Sequence, residues 1–241
     1  MDAIKINGLT KKYKDLVAVD NLNLSIQKGE LFSLLGVNGA GKSTTIKMLS
    51  CLTLPTSGDA LVGGYSIVNE ENKVKTIIGL SPQETAVATN LTVRENLEFI
   101  CNIYGYTKEK TKNIITELTN KFSFTDVLNK KSGTLSYGWM RRVSIAMALI
   151  GNPSILFLDE PTLGLDVIAR SELWDVINKL KGEVTIILTT HYMEEAEALS
   201  DRVGIMKDGK LLIVGTVDEL MRITNTDKFE NAFIKIVKGE K

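Results

Sequence analysis

Gly36-Val37-Asn38-Gly39-Ala40-Gly41-Lys42-Ser43-Thr44 is the stretch on which the fold turns. It fits the phosphate-cradling pattern Gly-x-x-x-x-Gly-Lys-[Ser/Thr] in full. Leu31, Phe32, Leu34 and Leu35 just before it read as a buried strand. Thr45 to Leu52 just after it reads as a helix, with Ile46, Met48, Leu49 and Leu52 as its apolar contacts. Strand, glycine-rich turn and helix is the context the pattern requires. The glycines let the backbone pass close to a phosphate in dihedrals that a side chain forbids. Successive N–H groups and the positive end of the helix dipole then face the anion. Lys42 is placed to reach the β- and γ-phosphates, and the Ser43 hydroxyl to sit on Mg²⁺. The stretch predicts a nucleoside triphosphate site.

Size and charge bound what else the chain can be. Its 241 residues can bury a full core as one large domain, or as one domain with a subdomain. Lys plus Arg and Asp plus Glu both number 29, so the net charge is zero. That balance argues against nucleic acid or anionic lipid as a broad electrostatic partner. Cys51 and Cys101 lie far apart without metal-ligand spacing and read as reduced packing residues. Met1-Asp2-Ala3-Ile4-Lys5 shows no basic region leading into an apolar run, so no signal peptide is expected. No apolar run approaches the ~20 residues that cross a bilayer. Work at a membrane would need another molecule to hold this one there.

Upstream of the glycine stretch, Ile4-Lys5-Ile6 and Leu22-Asn23-Leu24-Ser25-Ile26 alternate as antiparallel strands with one wet face. Tyr13 lies between them among lysines. Downstream, Pro55 to Gly58 reads as a turn, Asp59 to Val62 as a strand, and Ile77 to Leu80 as a buried strand running into Ser81-Pro82-Gln83. Ligands in open parallel sheets bind at such carboxyl ends. From Thr92 to about Leu149 the pattern is helical. Thr92-Val93-Arg94-Glu95 fits a capping box, followed by a Leu97, Ile100, Ile103 stripe. Lys108 to Lys121 reads as an amphipathic helix, and Met140 to Ile150 as another.

Ile155-Leu156-Phe157-Leu158-Asp159-Glu160 is the second chemical landmark. Four consecutive apolar residues mark a strand covered on both faces. Two carboxylates at its end are costly without a cation or polar partner. Beside a phosphate loop, Mg²⁺ on Asp159 and a water polarised by Glu160 answer that cost. A helix to about Lys181 follows, then a core strand from Val184 to Thr189. It ends at His191, the only histidine. A lone histidine is ordinarily structural, but this one follows a parallel-type strand at the sheet edge shared with Gln83 and Glu160. The acidic run Glu194, Glu195 and Glu197 reads as a solvated helix face. Val203 to Val214 reads as a hairpin closed by Asp208-Gly209. A short helix from Val217 and an amphipathic segment around Phe229 to Val237 end the chain.

Over nearly its whole length the chain resembles the ATP-binding cassette of ABC transporters. Gly36–Thr44 matches Walker A and Ile155–Glu160 Walker B. Gln83 matches the glutamine loop, Leu135–Trp139 the signature, Asp166 the D-loop, His191 the switch histidine and Tyr13 the adenine-stacking aromatic. Asp-Glu-Pro-Thr-x-Gly-Leu-Asp from Asp159 and Thr-His-Tyr-Met-Glu-Glu-Ala-Glu from Thr190 especially resemble bacterial exporter-type cassettes.

The resemblance implies an α/β P-loop NTPase (RecA-like) fold. A mostly parallel sheet core would carry an N-terminal antiparallel β subdomain and an inserted α-helical subdomain. Residues 1–89 and 151–222 would form the core, 90–150 the helical subdomain with the signature, and 223–241 a tail. ATP would contact Tyr13, Gly36, Asn38, Gly39, Ala40, Gly41, Lys42, Ser43 and Thr44. Mg²⁺ would be held by Ser43, Gln83 and Asp159, with Glu160 as base and His191 and Gln83 completing the catalytic set.

The implied partners are a second cassette, most simply a second copy of this chain, and a multi-helix transmembrane permease. Ser136 and Gly138 would reach ATP across the dimer, and Asp166 would line that interface. The segment from about 90 to 150 would form a groove for the permease's cytoplasmic helix. The implied place is the cytoplasmic face of the cell membrane, and the implied work is ATP-powered export. A soluble ABC ATPase with a non-transport role, such as cofactor-cluster assembly, is the other reading. The signature departs from the usual Leu-Ser-Gly-Gly-Gln, since Tyr137 replaces a glycine and Trp139 an amide.

Overall fold

A computed structural model describes residues 1–239. Six strands form the central sheet in the order β10-β9-β3-β8-β7-β6. They are β3 (Leu31–Gly36), β6 (Ile78–Ser81), β7 (Ile155–Asp159), β8 (Thr185–Thr190), β9 (Arg202–Lys207) and β10 (Lys210–Gly215). All neighbours pair parallel except β9 with β10, the hairpin turned by Asp208-Gly209. A second, antiparallel sheet runs β2-β1-β4-β5. It comprises β1 (Asp2–Tyr13), β2 (Leu16–Gln27), β4 (Ser57–Val62) and β5 (Tyr65–Ser66). The expected mostly parallel core and N-terminal antiparallel sheet are both present.

The buried strands show why runs without alternation lie at the centre. In β7, Ile155 and Phe157 pack toward the antiparallel sheet with Ile4, Val62 and Met48, while Leu156 and Leu158 pack toward the helices. Ile186 and Leu188 of β8 join the helical side, and Ile187 the other. A strand with both faces covered has no use for polar alternation. On the helical side stand α3 (Val93–Ile103), α4 (Lys108–Phe122), α5 (Tyr137–Leu149) and α6 (Val167–Leu180). α1 (Lys42–Leu49) and α2 (Glu71–Ile77) lie on the antiparallel-sheet side. α7 (Met193–Leu199), α8 (Val217–Thr224) and α9 (Phe229–Lys238) close the sheet beyond β9 around Leu35, Ile205 and Phe229.

Several elements depart from their sequence-based expectations. α1 begins at Lys42 rather than Thr45, because Gly41 takes a left-handed φ of 102° and turns Lys42 straight into the first helical turn. Leu52, expected inside, is 63% exposed past the helix end. α5 begins at Tyr137 rather than Met140, since the Ser136 side chain caps it by accepting from the Trp139 N–H. Ile103 is 66% exposed on the last turn of α3, where the helix runs off the core that Leu97 reaches. β1 is far longer than Ile4–Ile6, carried past register shifts near Gly8. Glu195 is fully buried rather than solvated, because α7 turns it toward Trp174.

Candidate nucleotide site

The phosphate loop is held by its surroundings before any ligand arrives. The Ala40 N–H donates to the Val37 carbonyl (3.1 Å), and the Ala40 carbonyl accepts from the Gly209 N–H (3.1 Å). A Cβ on Gly41 would come 2.5 Å from the Ala18 carbonyl, so only glycine lets β2 lie against the loop. Lys42 opens α1 but is 4% exposed, and its Nζ donates to the carbonyls of Gly36 (2.8 Å) and Val37 (3.2 Å). It also lies 3.5 Å from Glu160 Oε1. Burial pulls the Lys42 ammonium below its ordinary pKa, and the neighbouring Glu160 and Asp159 carboxylates oppose that fall.

Strands β7 and β8 end beside this loop and deliver the acidic pair. Asp159 Oδ1 accepts from Ser43 Oγ (2.9 Å) and Thr189 Oγ1 (2.5 Å). Glu160 stands at a left-handed φ of 46°, uncommon for a residue with a side chain. Its N–H is shared between the Thr189 carbonyl (3.1 Å) and hydroxyl (3.0 Å). Its carboxylate reaches Lys42 on one side and, through Oε2, His191 Nδ1 at 3.1 Å on the other. The His191 ring rests on Tyr192 with centroids 4.1 Å apart.

Of these groups Lys42, Ser43, Glu160 and His191 line one cavity of about 640 Å³, together with the rest of Asn38–Thr44, Tyr13 and Gln83, while Asp159 reaches it through its bond to Ser43. Tyr13, 44% exposed, stands at its rim beside Leu16, Val17 and Ala18. The size suits a nucleotide, and an open anion cradle next to a flat aromatic matches its two ends. Ser43 Oγ, the Asp159 carboxylate and the Gln83 amide are hard oxygen donors of the kind Mg²⁺ takes alongside phosphates and waters. Among the described residues no group of three His, Cys, Asp or Glu side chains could cage a metal without such help.

The other sequence-derived positions lie away from this cavity. Ser136 caps α5, and Asp166 caps α6 by accepting from the Ala169 N–H (2.9 Å). Gly138 packs against α6, where a Cβ would meet the Ala169 methyl at 3.2 Å. Gln83, by contrast, lines the cavity; it is exposed, and its carbonyl is tied to α5 by Arg141. Two residues that hold the site gave no sequence signal: Thr189 read as a strand end, and Arg141 only as part of the Met140–Ile150 helix. Glu195 read as part of a solvated acidic face and is buried instead.

The ABC transporter family profile matches residues 19–163. The chain is 39% identical to the probable multidrug ABC transporter ATP-binding protein YbhF of Escherichia coli K12, over 97% of this chain and 41% of that protein. It is 38% identical to the daunorubicin resistance ATP-binding protein DrrA3 of Streptomyces coeruleorubidus, over 95% of this chain and 72% of the relative. The chain thus spans about two fifths of the length of the first curated relatives it matches. Among solved structures, the ATP-binding cassette MJ0796 in a dimeric post-hydrolysis state with ADP and Pi superposes with a TM-score of 0.78. It is 29% identical, over 88% of this chain and 98% of that one. An ATP-binding subunit of an ABC transporter superposes with a TM-score of 0.84 at 26% identity, over 97% and 99%. A phosphate loop facing paired carboxylates, on a sheet that overlays such cassettes, agrees with the sequence match: the chain belongs to the ABC transporter family.

Proposed function

We propose that this chain is the ATP-binding and ATP-hydrolysing subunit of an exporter, dimerising around ATP and driving a separate membrane subunit. The observation that carries the reading is the Glu160 carboxylate, suspended between Lys42 and His191 on the floor of the phosphate cavity. A carboxylate there can accept a proton from water attacking a γ-phosphate, while His191 holds the water and phosphate in place. Lys42 can leave the loop carbonyls and Glu160 for the β- and γ-phosphates. Ser43, Asp159 and Gln83 would hold Mg²⁺, which would supply charge neutralisation at those phosphates.

Partners follow from what the chain leaves open. Ser136, Gly138 and Asp166 stand away from their own cavity, as suits residues that act on a second copy's nucleotide. A groove of about 310 Å³ between β6, α3 and α5 is lined by Ile78, Leu80, Ile100, Ile103 and Met147. Tyr104, itself exposed, lines it as well. That groove fits an amphipathic cytoplasmic helix of a permease. This contact would place the chain at the cytoplasmic face of the membrane; none of the described helices is long and apolar enough to cross a membrane. Drug resistance in the relatives' names supports export as the direction.

Phosphate release tests the reading. The wild-type chain is expected to hydrolyse Mg-ATP, and Glu160→Gln to lose about a hundredfold or more of that rate while still binding ATP. Undiminished release by the variant would sink the assigned base.

A further inference from the structure

Arg141, on the signature helix α5, is the largest fully buried side chain among the described residues. A guanidinium away from water is expensive unless its N–H groups are matched. This one is matched by backbone. Nε donates to the Pro161 carbonyl (2.9 Å), and Nη1 to those of Pro82 (2.6 Å) and Gln83 (2.9 Å). Nη2 donates to the carbonyls of Asp159 (3.1 Å) and Glu160 (2.6 Å). Burial lowers its pKa from the ordinary guanidinium value, against the pull of neighbouring acidic groups that include Asp159, Glu195 and Glu160.

The carbonyls come from two segments far apart in sequence, the glutamine loop after β6 and the turn after β7. Each carries a side chain that lines the nucleotide cavity. The second also contains the left-handed Glu160 peptide. Such a backbone persists only where neighbours over-determine it. Here Thr189 holds its N–H and Arg141 its carbonyl. Tyr137, the signature residue that departs from glycine, lies over the guanidinium at 6.0 Å and reaches the Gln83 carbonyl through Oη at 3.4 Å.

We infer that Arg141 is a positioning residue whose planar fork fixes the Glu160 turn and the Gln83 loop together, so that both side chains face one cavity. The inference rests on the reading of Glu160 as the base. A lysine cannot replace the fork, because one ammonium with three donors cannot reach the five carbonyls arrayed around the edge of the planar guanidinium.

The test compares Arg141→Lys and Arg141→Gln with wild type. Turnover per nucleotide-binding site is expected to fall about tenfold or more, as for misplaced catalytic groups. The Kd for ATP without Mg²⁺ should stay within about twofold, since the phosphate loop and Tyr13 are untouched. Turnover per site within twofold of wild type would overturn the inference, as would parallel losses in turnover and affinity. Loss of hydrolysis in Glu160→Gln separately secures the underlying reading. A second measurement needs no Arg141 variant. The guanidinium N–H resonances of Arg141 in the intact chain should shift when Mg-ATP is added, and that shift should shrink in Gln83→Ala to the part that comes through the Glu160 turn. Resonances that do not respond to Mg-ATP, or respond equally in Gln83→Ala, contradict the inference whatever becomes of the base assignment.

Discussion

At Glu160 a single side chain meets a cation, a histidine and a left-handed backbone, and each neighbour constrains what it can do. Lys42 is the cation, and its ammonium is held by loop carbonyls that a phosphate would replace. Lys42→Ala is expected to weaken ATP binding about tenfold or more, because a buried charge–phosphate contact is lost. Equilibrium dialysis checks this, and an unchanged Kd would contradict it. Glu195 makes a different kind of prediction. Its Oε1 accepts from Trp174 Nε1 at 3.2 Å, while its Oε2 is buried without a hydrogen bond. Burial raises its pKa, and Thr190, Thr162, Trp174 and Arg170 offset only part of that rise. A carboxyl with a raised folded pKa contributes stability that is whole in acid and is lost as pH climbs through the folded value. Glu195→Gln imitates the protonated acid. Its melting temperature should match wild type at acidic pH and exceed it by a few degrees at neutral pH. A difference that does not grow with pH would contradict this, since it would show that folding does not raise the Glu195 pKa.

Helix ends decide how the elements sit, and they can be probed one at a time. Thr92 and Glu95 close a reciprocal cap on α3, with Thr92 Oγ1 accepting from the Glu95 N–H and the Glu95 carboxylate accepting from the Thr92 N–H. Thr92→Ala is expected to cost about 1 kcal/mol. Leu97→Ala, on the same helix but fully buried, is expected to cost about 2–5 kcal/mol. Urea unfolding of both variants checks the order, and a cap variant costlier than the core variant would contradict it. This cap was legible because both partners lie within four residues of chain. The phosphate loop and the β7 run were legible for the same local reason. The start of α1 was not, because Lys42-Ser43-Thr44 carries no apolar period and owes its helical turn to Gly41. α2 was not legible either, since Val74 is its one buried residue. The spacing of Ile103 named a helix face correctly but could not show where α3 leaves the core. The clasp of Arg141 depends on carbonyls some 20 to 60 residues away, which no local pattern encodes.

For the molecule as a whole, the nucleotide cavity gathers only part of the assigned set. Tyr13, the phosphate loop, Gln83, Glu160 and His191 meet in one chain, whereas Ser136 and Gly138 lie outside that group. Motif order indicated all of these positions; which of them share a cavity depends on sheet order, with β3, β8 and β7 adjacent though far apart in the chain. In the proposed cycle ATP binds between two cassettes and hydrolysis releases them. Light scattering of Glu160→Gln tests this most directly, since that variant should retain ATP without consuming it. The account predicts twice the 26.5 kDa chain mass with Mg-ATP and the single chain mass without nucleotide. A single-chain mass at saturating Mg-ATP would contradict it.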